Sequence, residues 1–253
     1  MLNQVDIASV LFLDIETAST ASEFTELEDN FQTLWAEKCS KLLQQPLGDL
    51  PVEVIEDTYK RRAAIYSEFG RIICISVGIV VRNRDKKLRL RLKSFAGQDE
   101  AKVLADFATM LHQYFPKPDK AYLCGHNIRE FDIPYICRRM VVHQIELPAM
   151  LQLQGKKPWE TKNVLDTLEL WKFGDVKNYT SLKLLAAIMG IPSPKDDIDG
   201  SDVGRIFWEE KDLERIARYC EKDVLATVQL LLRFMYMPVL AQDQIVFVDE
   251  ETS

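Results

Sequence analysis

Asp14 and Glu16 stand two residues apart in LFLDIETAS, residues 11–19. They follow an apolar run that reads as a first strand over 5–15, and side chains at i and i+2 of a strand project to the same side. An aspartate and a glutamate are thus aimed at one point. Carboxylates held that close raise each other's pKa unless a cation shares the site, so the pair asks for a metal ion or a solvated edge. Asp-x-Glu at a strand end is common, and only its context can separate the two.

Two further acids stand in unusual settings. In GHNIREFDIPYI, residues 125–136, Asp132 falls at a helix N-terminus ahead of Ile-Pro, where capping would be its ordinary role. In RYCEKDVLATV, residues 218–228, Tyr219 and Asp223 are four apart on one face of a helix. Asp223 borders that helix's apolar stripe, where a carboxylate is costly unless paired or metal-bound. Asp166 reads as structural or as distant support for the site. His126 reads as a loop histidine bonded to backbone, and His112 and His143 have no functional context. IDG at 198–200 does not make a calcium loop, because the first and twelfth positions would be Lys195 and Ile206.

DIET, GHNIREFDIP and YCEKD, in that order, resemble the three motifs of the DEDD (DnaQ-like) superfamily of 3′-5′ exonucleases. Tyr219, four residues before Asp223, matches the tyrosine (DEDDy) subclass; the histidine subclass would carry His at 218, where this chain has Arg218. The NxxxFDIP form resembles the proofreading domain of family B DNA polymerases and the stand-alone PolB-like exonucleases. The resemblance runs from 11 to about 234, with weaker stretches at 166–170, 181–191 and 198–203.

This resemblance implies an α/β fold, a ribonuclease H-like mixed sheet flanked by helices. It also implies a metal-dependent 3′-5′ exonuclease that hydrolyses phosphodiester bonds from the 3′ end of single-stranded nucleic acid, with DNA favoured over RNA, and releases nucleoside monophosphates. Two divalent ions, Mg²⁺ or Mn²⁺, would be held by Asp14, Glu16, Asp132 and Asp223, the hard oxygen ligands such ions prefer. Tyr219 would orient the attacking water or help deprotonate it. On the same resemblance, backbone at Thr17 and the Asn127 side chain would hold the terminal nucleotide, and Phe131 would pack against the terminal bases. Arg129, Arg138, Lys156, Lys157 and Lys162, with the basic hairpin at 82–93, are candidates for phosphate contact.

The elements that must position these residues follow from periodicity. A β-branched strand over 71–81 turns into the alternating KLRLRLKSF of 87–95, with Arg89, Arg91 and Lys93 along one face. A helix over 99–114, a short strand within 121–127, a helix with Pro134 in its first turn, and a segment at 163–170 come next. A helix over 179–192, capped by Thr180 or Ser181 and closed at Gly190, precedes a last long helix from Asp212, limited by Pro238.

At 253 residues and net charge −7, the chain reads as one domain. It carries an acidic, helical insertion at about 20–60 and a short C-terminal tail at about 238–253. Residues 20–57 hold nine acids against Lys38 and Lys41, whereas 58–241 hold thirty Lys and Arg against twenty-three Asp and Glu, so a polyanionic substrate is allowed. No apolar run suits a membrane span and no secretory signal is visible, so a cytoplasmic protein without a membrane partner is expected. Five scattered cysteines without CxxC spacing read as reduced thiols. The insertion, with Leu27, Phe31, Leu34 and Trp35 as a docking face, is a lid, a protein-partner site or plain packing. The rival readings of function are a catalytically weak nucleic-acid-binding module and a partner-recruiting scaffold on the same fold.

Overall fold

A computed structural model of the chain describes residues 2–176, 179–192 and 198–248. Strand β1 (Val10–Ser19) starts later and runs further than the 5–15 read from sequence. Asp6 caps a single 3₁₀ turn ahead of it, its carboxylate accepting from the Ala8 N–H at 3.1 Å, so the chain turns before it extends. The acids therefore sit inside the strand, not at its end.

The insertion follows as α1 (Asp29–Leu43) and α2 (Val52–Arg62). Its core is its own: Trp35 is fully buried among Phe24, Cys39, Leu50, Ile55, Tyr59 and Phe69, and its indole N–H donates to the Ile55 carbonyl at 3.2 Å. Of the four expected docking residues Trp35 is thus packing, while Phe31 and Leu34 stay exposed. Helix α2 is anchored by Ile55, Thr58 and Tyr59 in an otherwise largely charged segment.

Next come β2 (Gly70–Arg82), β3 (Leu88–Ala96), α3 (Glu100–Tyr114), β4 (Tyr122–Gly125) and α4 (Asp132–Val142). Then follow β5 (Val164–Asp166), α5 (Thr167–Lys172) and α6 (Leu182–Ile188), the last capped by Ser181. A short α7 (Val203–Arg205) runs into a π-helical turn at Ile206–Glu210, ahead of α8 (Leu213–Phe234), capped by Asp212, and β6 (Ile245–Phe247). Among the described residues one sheet forms, in the order β5-β4-β1-β2-β3-β6. β1-β2 and β2-β3 are antiparallel; β4, β5 and β6 join in parallel. Strand β6 pairs with β3 through residues the sequence reading left in the tail. No helix among the described residues is long and apolar enough to cross a membrane.

Strand alternation decides where the acids point. Leu11, Leu13 and Ile15 pack with α3 and α4 on one face of the sheet, through Leu104, Phe107, Ile136 and Met140. Val10 and Phe12 pack on the other face with Val224, Val228, Leu231 and Leu232 of α8. Asp14 and Glu16 continue the even series, so both face α8. Just past them the pairing slips from Glu16↔Cys74 to Thr17↔Ile72, leaving Ile73 as the extra residue of a β-bulge beside the acids.

Gly78 sets how closely α8 approaches. A Cβ there would lie 2.9 Å from Val224 Cγ1 and 3.2 Å from Leu90 Cδ1 and Leu92 Cδ2. Val224 is β-branched and has little rotameric freedom on a helix to yield. Gly78→Ala is therefore expected to destabilise the fold by about 1–3 kcal/mol, as overpacking does. Urea unfolding will read this as a lower midpoint with unchanged slope.

Candidate active site

Asp132 leaves the role its local sequence suggests. Phe131 holds the cap position, and Asp132 is the first helical residue of α4, almost completely buried. Its carboxylate reaches across to β1 and accepts from the Ile15 N–H at 3.1 Å, the amide between Asp14 and Glu16. From the opposite side α8 brings Cys220, whose thiol donates to Asp14 Oδ2 and to the Asp14 carbonyl, each at 3.4 Å. One turn along, Asp223 acts on both Asp14 and Glu16. The structure thus gathers Asp14, Glu16, Asp132 and Asp223 from β1, α4 and α8. Tyr219 lies on α8 one turn before Asp223, half-buried against a cluster that includes Ala18, Ile73 and Phe207.

The electrostatics follow from that crowding. Burial pushes Asp14 well above the usual carboxylate range, and Asp132, Asp223 and Glu16 push it further. Glu16 is raised by burial, then by Asp223, with Asp132 adding to it. Asp132 is pushed up to about 7 by burial, against the hydrogen bonds it accepts from its own and the Ile15 N–H. Cys220 stays a thiol, raised by burial first and by its acidic neighbours. Oxygens of Asp14 and Glu16 and the sulfur of Cys220 lie within 4.8 Å of one another. Buried like charges without a partner are costly, and a divalent cation with hard-oxygen preference answers all of them at once.

Several supports had no signal that the sequence reading used. Buried Glu221 accepts from Ser94 Oγ at 2.9 Å and from Arg218 at 3.2 Å, and Ser94 is bonded to Ser76, the partner of Asp14 on β2. This ladder ties α8 to β2 and β3 one residue from Cys220. Asp166 is buried and caps α5, but it also accepts from the Asn127 N–H at 2.9 Å and the Arg129 N–H at 3.1 Å. It shapes the loop that leads to Asp132, in which Asn127 adopts φ 61. His126 is bonded to backbone as expected, its Nε2 donating to the Thr180 carbonyl at 3.0 Å and Nδ1 meeting Thr167 Oγ1 at 2.9 Å. His143, for which sequence offered no context, bonds buried Glu100 at 2.7 Å beside Arg139.

The remaining expected contacts divide. Thr17 is half-buried at the bulge with its hydroxyl spent on the Ala64 carbonyl at 2.9 Å, leaving only backbone for a substrate. The Asn127 side-chain amide makes no hydrogen bond among the described residues. Phe131 is half-buried against Tyr135, ring centroids 5.5 Å apart. Arg129 is no phosphate ligand: its guanidinium is spent on Thr161 Oγ1 and on the Thr161 and Val164 carbonyls. Lys156 and Lys162 line a groove with Trp159, Tyr122 and Asn163, and Lys157 sits over the Trp159 ring. That groove is at the start of β4 and β5, the end away from Asp132 and Asp166. Arg89, Arg91 and Lys93 are exposed along β3 as expected, but Leu90 and Leu92 between them face α8, so the basic row looks away from the acids. Arg138 is exposed on α4. All five cysteines are unpaired thiols.

The fold is a ribonuclease H-like α/β sheet flanked by helices. It is similar to the family B DNA polymerase from the hyperthermophilic archaeon Pyrobaculum calidifontis, at TM-score 0.54 and 16% identity over 90% of this chain. The chain spans 24% of the length of that polymerase chain. Residues 65–246 match the model of a family described as predicted 3′-5′ exonucleases related to the exonuclease domain of PolB, and the chain belongs to that family. The matched span contains Asp132, Tyr219 and Asp223 and begins after the strand that carries Asp14 and Glu16. No curated protein matches the chain.

The raised carboxylates fix a pH dependence. Between about 4, the ordinary value for an aspartate, and about 7, the native state keeps the Asp132 proton that the unfolded chain has lost. Stability without metal therefore falls as pH rises through that window. Asp132→Asn removes the charge while its amide oxygen can still accept from Ile15. It is expected to flatten this pH dependence and, in EDTA at pH 8, to melt several degrees above wild type, at about 2–4 °C per kcal/mol. Melting curves at pH 5.5 and 8 check this; a variant melting at or below wild type at pH 8 contradicts it.

Proposed function

We propose that this protein is a metal-dependent 3′-5′ exonuclease of the tyrosine subclass. It removes nucleoside monophosphates from the 3′ end of single-stranded nucleic acid, with DNA favoured over RNA. The observation that carries this reading is the convergence of four carboxylates from β1, α4 and α8, in a chain of an exonuclease family. Asp14, Glu16, Asp132 and Asp223 would hold two Mg²⁺ or Mn²⁺ ions. Bound there, such ions supply Lewis-acid stabilisation of the phosphoryl oxygens and a water of lowered pKa.

The protein's own groups do the rest. The Ile15 N–H holds Asp132 between the β1 acids. The Tyr219 hydroxyl, one helical turn from Asp223, orients the attacking water by hydrogen bonding. The Asn127 amide and the backbone at Thr17 bind the terminal nucleotide, and Phe131, braced by Tyr135, packs against its base. The acidic insertion has its own core, so a partner site there would use exposed Phe31 and Leu34 rather than Trp35.

With 5′-labelled single-stranded DNA and RNA, wild type is expected to give stepwise 3′ shortening in Mg²⁺ or Mn²⁺ and none in EDTA. Asp14→Ala should abolish hydrolysis while leaving the melting transition cooperative. Tyr219→Phe should slow turnover about 100-fold or more, the usual weight of a proton-transfer group, while retaining metal binding. Metal-independent activity, or full activity in Asp14→Ala, would refute the site. Strand binding without shortening would favour the binding-module reading.

A further inference from the structure

Tyr179 is an aromatic side chain on the outside of the protein, 69% exposed, that nothing in the fold requires. Its neighbour Thr180 is bonded to His126, in the loop that leads to Asp132, and partial burial, then Asp132, Asp166 and Glu130, raise the Tyr179 hydroxyl pKa. Its mounting is firm. The carbonyl of the next residue, Thr180, accepts from His126 Nε2 at 3.0 Å, and the other nitrogen of that ring meets Thr167 Oγ1 at 2.9 Å. His126 is largely buried and burial lowers its pKa, so it stays a neutral imidazole with both nitrogens in use. The strut connects Tyr179 to the loop between β4 and α4, the loop that Asp166 shapes and that delivers Asp132.

A second exposed aromatic, Phe173, directly follows α5, the helix that Asp166 caps, and is 85% exposed at φ 44. A bulky residue in the left-handed region is uncommon and costs backbone energy. Water is a poor neighbour for both rings, whereas a nucleobase offers each a flat π-face.

We infer that Tyr179, beside the loop that delivers Asp132, forms an aromatic lip that stacks bases of the single strand entering the site. This rests on the exonuclease reading. Stacking is indifferent to base identity, so the lip would grip the strand without sequence preference. Tyr179 is a substrate-positioning residue here and takes no part in the chemistry, so its loss should act on binding more than on turnover.

The test uses an oligonucleotide with 2-aminopurine near its 3′ end, bound in EDTA so that nothing is hydrolysed, together with steady-state kinetics in Mn²⁺. Wild type and Tyr179→Phe should quench the probe equally. Tyr179→Ala should lose the quenching, and its KM should rise about 5- to 150-fold, the range that base–aromatic stacking supports, with kcat within about threefold. Quenching or KM unchanged in Tyr179→Ala overturns the inference, as does a Tyr179→Phe variant as defective as Tyr179→Ala. A wild-type protein that neither binds nor shortens the strand removes the exonuclease reading itself, and the inference with it.

Discussion

Four carboxylates converge between β1, α4 and α8, Glu16 and Asp132 buried and Asp14 and Asp223 half-buried, and most of what is unusual in this fold holds them there against their mutual repulsion. Burial and like charge act in the same direction on Asp14, Glu16 and Asp132. In water such a cluster would disperse; in a low-dielectric pocket it must neutralise by taking up protons or a cation. The restraints are specific. Pairing of β1 with β2 fixes Asp14 and Glu16, the Ile15 N–H fixes Asp132, and the Cys220 thiol donates to Asp14 from α8. A glycine at 78 lets that helix lie close enough to bring Asp223 to the others.

The two faces of the sheet divide the work. On one, odd positions of β1 pack with α3 and α4 into an apolar cluster that reaches Leu151 and Val164. On the other, Val10 and Phe12 begin as core and Asp14 and Glu16 end in the acid cluster, so one strand carries both within a single alternation. The Glu221–Ser94–Ser76 ladder and the Asp166 cap occupy the border between core and site. Each satisfies buried polar groups that a purely apolar border would leave unpaired. The insertion interrupts the sequence between β1 and β2 but not their pairing, because Trp35 and Tyr59 give it a separate core.

The sequence disclosed what depends on periodicity. The i, i+2 spacing put Asp14 and Glu16 on one face, the hairpin and α3 followed their patterns, and the four-residue spacing placed Tyr219 and Asp223 on one face of α8. It misled where a residue's partner is remote. Asp132 looks like a cap locally, yet its bond runs 117 residues back to β1. Asp166 reads as structural or distant support and is so, but two of its three amide partners, at Asn127 and Arg129, come into reach only when β4 and β5 pair. Arg129 looks like a phosphate ligand, and the carbonyls that occupy it lie at Thr161 and Val164. Arg89, Arg91 and Lys93 were correctly placed on one face, but which face is a property of the whole sheet.

The central claim is that these acids form one cation site, in which a bound metal displaces protons that the raised carboxylates hold. Titration calorimetry of Mn²⁺ into the metal-free protein at pH 7, repeated in buffers of different ionisation heat, measures both the binding and the protons released. Ligand carboxylates must shed their protons to bind metal. Binding with net release of at least about one proton per protein is the predicted result. No binding, or binding without proton release, would contradict the account.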